Sequence, residues 1–260
     1  MSEELSPADK AKFICAKRAM DFIKPGMRLG LGTGSTAAWL VRLIGEEVRN
    51  NGLEIIAVAT SEQTATLAAE CGITVRTMDE VKWLDLTIDG ADEFDPRLNL
   101  IKGGGGALLQ EKIVATASDQ VVVIADGSKA VEVLGRFPLP VEVVRFGWMT
   151  TKGLIEEAIT NLDVMSQDVS LRMKGDVPLL TDEGHYILDL HLGRIGNARE
   201  MSLVLNQIPG VVETGLFLDI ADAVVIGHLG GRVEVRDINT GTVEFEQIDV
   251  VEQDNMFLDI

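Results

Sequence analysis

The stretch Asp85 to Lys112, DLTIDGADEFDPRLNLIKGGGGALLQEK, sets acids, lysine and a run of glycines between two hydrophobic segments. Leu84, Leu86 and Ile88 alternate with Asp85 and Thr87 until Gly90 interrupts them, the pattern of a strand entering a turn. Asp89 and Asp92 therefore fall at a strand's carboxyl end. Leu98, Leu100 and Ile101 read as a second short strand, Lys102 and Gly103 to Gly106 follow, and ALLQEKIVATA opens a helical pattern. Four successive glycines lose much entropy on folding, so they mark backbone that approaches something closely or turns at positive φ. A flexible linker is usually longer and serine-rich, and does not usually stand between a buried strand and a helix. The helix start beyond the run offers N–H groups and partial positive charge to an anion. On this motif alone, an anion site and tight packing are equally good readings.

Outward from this stretch, strand and helix alternate. Ser6-Pro7-Ala8-Asp9 has the order of an N-cap, a first-turn proline and an acid, predicting a helix that Lys24-Pro25-Gly26 stops. Arg28 to Leu31 reads as a strand, Ala37 to Arg49 as a helix, Glu54 to Ala59 as a strand, Ser61 to Cys71 as a helix, and Ile73 to Arg76 as a strand. Val121 to Ala125 is wholly apolar, as expected of a strand buried on both faces. The expectation is an α/β fold with a doubly wound, mostly parallel sheet. Ligands of such sheets bind at the carboxyl ends of the strands, where the loops 32–36, 89–93, 102–106 and 126–129 fall.

The turn Gly30-Leu31-Gly32-Thr33-Gly34-Ser35-Thr36 invites a dinucleotide reading. However, the third glycine of G-x-G-x-x-G would be position 35, which is Ser35, and the next strand ends in Thr60-Ser61 rather than an acid. No G-K-[ST] follows either. The hydroxyls of Thr33, Ser35 and Thr36 beside backbone N–H groups suit a single phosphate, with a plain helix cap as the alternative.

Phe137-Pro138-Leu139-Pro140 reads as the boundary of a second, smaller domain over 137–217. Its predicted order, βαββαβ, is that of a ferredoxin-like α+β domain. Residues 1–136 and 218–260 then form the main α/β domain, with Ala223 to Ile226 returning to its sheet and a hairpin around Asn239-Thr240-Gly241 leading into an acidic tail.

A net charge of −18 argues against nucleic-acid binding, which needs a basic face to displace counterions, but leaves room for a phosphorylated metabolite held by a few lysines. No apolar run approaches the ~18 residues of a membrane span, and MSEELSPADK lacks the regions of a signal peptide, so no membrane partner and a cytoplasmic setting are expected. Cys15 and Cys71 read as reduced core thiols. His185 and His191 have no third ligand at metal spacing, and no metal is expected.

Together GLGTGSTA (30–37), DGADE (89–93), KGGGGALLQEK (102–112), IADGSK (124–129) and FPLPVEV (137–143) resemble ribose-5-phosphate isomerase of the A type, in the family's order and spacing over nearly all of residues 10 to 230. The resemblance implies an aldose-ketose isomerase of the non-oxidative pentose phosphate pathway, interconverting ribose 5-phosphate and ribulose 5-phosphate without metal or organic cofactor. It implies a homodimer or homotetramer. Glu111 matches the family's catalytic base, Asp89 and Asp92 the acids that bind the sugar and move hydroxyl protons, and Lys102 the lysine beside the developing enediolate oxygen. Gly90, Ala91, Gly103, Gly104 and Gly105 complete the sugar site. Thr33, Gly34, Ser35 and Thr36 match the phosphate turn, with Lys129 and Lys12 as its cations.

Elementary chemistry asks for the same parts: removing a proton next to a carbonyl creates an oxyanion, which needs a base on one side and a positive donor on the other. Taken singly, each residue has a plainer reading. Glu111 could be a solvated helix residue, Asp89 and Asp92 turn formers, and Lys102 and Lys129 surface charges. Gly106 stands where family members often carry alanine, and the segment after Gly230 extends beyond the family's usual end. Amino-sugar deamination, lactone hydrolysis on a related fold and noncatalytic sugar-phosphate sensing are the competing functions.

Overall fold

Apolar strands without partners on the chain's surface would be costly, and the chain satisfies them by stacking five in parallel under helices. The computed structural model describes residues 5–249, which fall into two units. The first takes in the chain as far as Gly90, Ile113–Lys129, and the chain from Ala221; the second takes in Ala91–Lys112 and Ala130–Ile220.

In the first unit seven strands follow the order Val243–Gln247, Arg232–Asp237, Ala223–Gly227, Val121–Asp126, Leu86–Gly90, Arg28–Leu31 and Ile56–Ala59. The last five are mutually parallel. Arg28–Leu31 comes first in the chain; its successor Ile56–Ala59 lies on one side of it and Leu86–Gly90 on the other. The winding therefore reverses there, the place where ligands bind in open α/β sheets. Phe13 and Ile14 of helix Pro7–Ala19, and Trp39, Leu40 and Ile44 of helix Ser35–Asn51, share one core with Leu29, Leu31, Ile88, Val122 and Ile124. The rings of Phe13 and Trp39 meet edge to face at 5.6 Å. No described helix is long and apolar enough to cross a membrane.

Two local expectations change, and the expected hairpin after Gly230 forms. The helix after the glycine turn begins at Ser35 rather than Ala37, because Gly34 at φ 106° already serves as its N-cap. Ile73 to Arg76 forms no strand, only a single bridge between Val75 and Ala57, before Thr77 opens a one-turn helix with a capping box. The extension after Gly230 is, through Gln247, a hairpin added antiparallel to the sheet edge. Its acidic tail, 250–260, lies outside the described residues. Arg18 reaches Glu246 at 3.0 Å and Glu244 at 3.7 Å, but exposed pairs of this kind contribute about 0–1 kcal/mol. Burial of Val233 and Val235, worth about 1.5–3 kcal/mol each, attaches the hairpin.

In the second unit the strands Val211–Thr214, Leu139–Val143, Tyr186–His191 and Asp168–Leu171 lie in that order, all antiparallel. Helices Trp148–Ile159 and Ala198–Leu205 complete the βαββαβ connection. This unit is wider than the 137–217 expected from sequence. Leu100–Ile101 pairs with Leu216–Phe217 and with Glu93–Phe94, which draws 91–112 into it. The buried Glu93 carboxylate accepts from the N–H groups of Gly135 (2.8 Å) and Phe137 (2.6 Å), fastening the segment that leads into Leu139–Val143.

Candidate active site

In the first unit, Asp89 ends the strand Leu86–Gly90 and is buried. Its Oδ1 accepts from the N–H of Thr33 (3.0 Å) and of Gly90 (2.7 Å), so this carboxylate joins the turn at 89–90 to the glycine-rich turn at 32–36. The approach requires glycine at position 32, where a Cβ would lie 2.0 Å from Asp89 Oδ1. The Thr33 hydroxyl points inward, 2.7 Å from Thr60 Oγ1 and 2.8 Å from Ser61 Oγ. Of the turn's groups, Gly34 and Ser35 are exposed and Thr36 half-buried. Helix Ser35–Asn51 starts with no side-chain cap and no acid in its first turn, which leaves its positive end favourable to an anion.

Lys129 closes the short turn Gly127–Lys129 after strand Val121–Asp126. That strand runs parallel and in register beside Leu86–Gly90, Gly90 opposite Ile124, so Lys129 leaves the same carboxyl end of the strands as Asp89. Lys12 also comes to this end. Its neighbour Ala11 presses its carbonyl onto Gly227, where a Cβ would lie 1.9 Å away, and Gly227 stands opposite Asp126. The Lys12 ammonium pairs with Asp9 at 3.3 Å.

In the second unit, Lys102 and Glu111 are brought together from the two ends of the glycine loop. Lys102 Nζ lies 3.3 Å from Glu111 Oε1, and both side chains are about 5% exposed. Glu111 occupies the first turn of helix Leu108–Thr116. Between them, Gly103 (φ +99°) and Gly106 (φ +87°) take left-handed conformations and close a turn through the bond from Gly106 N–H to Gly103 O (3.0 Å). Gly104 and Gly105 are exposed at its tip. The Gly104 N–H donates to Asp92 Oδ2 at 2.7 Å, and a Cβ on Gly104 would sit 2.5 Å from Asp92 Oδ1. Ala91 precedes Asp92, whose own N–H donates to Ile101 O (2.8 Å).

Several residues at this place carried no signal in the sequence. The Phe217 ring has Lys102 Nζ 5.5 Å and Lys112 Nζ 4.8 Å from its centroid. Burial lowers the Lys112 pKa, with Glu213 at 2.7 Å opposing it. Gly215 accepts the Lys102 N–H through its carbonyl at 2.9 Å, an approach that a Cβ at 2.4 Å from Lys102 O would block. Chain separation hides such partners: Gly215 and Phe217 lie more than a hundred residues from Lys102. Among the described residues no three His, Cys, Asp or Glu side chains are placed to hold a metal ion.

A carboxylate against an ammonium beside a glycine turn can serve more than one proton-transfer chemistry, and relatedness narrows the choice. The description of ribose 5-phosphate isomerase A (phosphoriboisomerase A) matches residues 56–231, well over half of the chain. The chain belongs to the ribose 5-phosphate isomerase A family. It is 66% identical over 260 residues to the ribose-5-phosphate isomerase A of Ruegeria pomeroyi, covering 100% of this chain and 99% of that one. To the protein of the same name from Jannaschia sp. it is 64% identical, with the same coverage. Among solved structures, ribose 5-phosphate isomerase A from Methanocaldococcus jannaschii superposes with a TM-score of 0.78 at 35% identity, over 92% of this chain and 99% of that one. The ribose 5-phosphate isomerase from Plasmodium falciparum gives 0.80 at 30% identity, over 93% and 100%. Within the isomerase A pattern, Glu93 of the DGADE block is thus a structural fastener, while the acids that precede it each hold a glycine-rich turn.

Proposed function

We propose that this chain interconverts D-ribose 5-phosphate and D-ribulose 5-phosphate through an enediolate, with Glu111 as the base. The observation that carries the reading is the buried contact of Glu111 with Lys102, which supplies a proton acceptor and a positive donor in one small volume. Glu111 takes the proton from C2 of the open-chain aldose; the electron pair moves into the C1–C2 bond and negative charge collects on O1. Lys102 stabilises that oxygen. Return of the proton to C1 and transfer of the O2 proton to O1 give the ketose, so hydrogen is moved and none is gained or lost. Asp89 and Asp92 are the carboxylates assigned to the hydroxyl protons and to ring opening.

The turn Thr33–Gly34–Ser35–Thr36, with Lys129 and Lys12, is assigned to the phosphate. The uncapped start of helix Ser35–Asn51 supports this role, because a dianion there meets N–H donors and the favourable end of the dipole. Binding energy from the phosphate then orients the reacting end without taking part in the chemistry. The family resemblance further implies a cytoplasmic dimer or tetramer, which sedimentation of the purified chain would check.

Ketose formation from ribose 5-phosphate, measured with a chelator present and beside glucosamine 6-phosphate, tests the function. Turnover of the pentose alone is expected. Tight binding of the pentose without turnover would overturn the isomerase in favour of a sensor, and release of ammonia from the amino sugar in favour of a deaminase.

A further inference from the structure

Arg172 belongs to none of the sequence blocks that mark the family, yet its guanidinium reaches the glycine loop. Its Nη1 donates to Gly103 O at 2.6 Å and to Gly104 O at 3.1 Å. Its Nε donates to Asp189 Oδ2 at 2.8 Å, and its Nη2 pairs with Asp189 Oδ1. The two side chains are 13% and 15% exposed, so the fork is held in one orientation rather than moving freely in water.

The carbonyl of Gly103 and the N–H of Gly104 belong to one planar peptide. Arg172 therefore grips that plane by its oxygen while Asp92 Oδ2 grips it by its N–H at 2.7 Å. Between two glycines such a plane meets little steric resistance to turning over. Turned over, it would aim a carbonyl oxygen at the Asp92 carboxylate and withdraw the N–H that holds it. Because Asp189 neutralises the guanidinium, Arg172 brings little net charge to the loop; what it brings is a rigid fork of donors, which a lysine cannot reproduce.

We propose that Arg172, held by Asp189, is a positioning residue for the isomerisation. It fixes the Gly103–Gly104 peptide and, through it, the Asp92 carboxylate and the turn that follows Lys102. The inference rests on the isomerase reading above.

The test is a double-mutant cycle on the full chain: kcat and KM for ribose 5-phosphate, with melting temperatures, for the parent, Arg172→Lys, Asp92→Ala and the double variant. Arg172→Lys keeps a cation for Asp189 and should keep the parent's melting temperature while lowering kcat about 10- to 100-fold, the scale of a small misplacement of reacting groups, with a smaller change in KM. In the Asp92→Ala background the same change should cost less than about threefold, because the group it positions is already gone. A parental kcat in Arg172→Lys, or a full multiplicative loss in the double variant, would overturn the role. If Arg172→Lys melts below the assay temperature, Asp189→Asn is read instead; about tenfold lower kcat is expected, and an unchanged kcat overturns the role. A parent that forms no ketose overturns the isomerase reading itself, an outcome distinct from an active parent with an unimpaired Arg172→Lys.

Discussion

The Lys102 ammonium lies 3.3 Å from the Glu111 carboxylate, inside the second unit and shielded from water. Burying such a pair costs more desolvation than packing two apolar side chains of the same size, so its place beside a glycine-rich turn is understood through chemistry rather than stability. Removing the lysine alone should destabilise more than removing both charges. Lys102→Met, Glu111→Gln and the double variant, compared by urea unfolding, should show a coupling of about 1–3 kcal/mol. Losses that add within about 0.5 kcal/mol would show the contact to be energetically empty.

Gly32 and Gly104 each leave room for an acid, but in different ways. A methyl at Gly32 meets Asp89 Cα at 2.5 Å as well as its carboxylate, so backbone must move; at Gly104 the nearest atoms all belong to the Asp92 side chain, which can rotate. Gly32→Ala should therefore lose about 1–3 kcal/mol of stability together with turnover. Gly104→Ala should stay within about 0.5 kcal/mol of the parent while kcat falls. Equal destabilisation of the two variants, read from urea midpoints, would contradict this picture.

Lys129 leaves the carboxyl end of the strands shared with Asp89 and is assigned to the phosphate rather than to the reacting carbons. Lys129→Ala should raise KM for ribose 5-phosphate by about tenfold or more and weaken inhibition by inorganic phosphate, with kcat changed much less. An unchanged KM with a collapsed kcat would move Lys129 out of the phosphate site.

Glu142 is buried on strand Leu139–Val143, with His185 Nδ1 at 2.9 Å and Thr181 Oγ1 at 3.0 Å. Burial raises its pKa above the ordinary 4.5, although both partners and the His185 charge act to lower it. A group whose folded pKa is raised contributes stability fully below its unfolded pKa and loses it as pH rises through the folded one. Glu142→Gln has no proton to lose there. Its stability relative to the parent should therefore improve from pH 4 to pH 8, and a difference that stays constant over that range would contradict the assignment.

The parallel sheet was legible because its central strand, Val121 to Ala125, is apolar on both faces and because glycines punctuate its edge at 30–36 and 89–90. The small domain's strand and helix order was legible for the same reason of periodicity. Its extent was not: Leu100–Ile101 pairs with Leu216–Phe217 across more than a hundred residues, and no local pattern announces such a partner. The same limit applies to the site. Asp89, Asp92, Lys102 and Glu111 stand in linked motifs on consecutive elements, whereas Arg172 and Asp189 read as ordinary strand charges until the fold folds them onto the loop. The inward turn of the Thr33 hydroxyl was hidden too, because Thr60, Ser61 and Thr64 come from the neighbouring strand end and helix.

The base is the central claim, and Glu111→Gln tests it most directly, since the amide keeps the shape and removes the ability to carry a proton. Steady-state turnover of ribose 5-phosphate should fall by about 10²- to 10⁴-fold in kcat with KM nearly unchanged. Turnover near that of the parent would contradict the account.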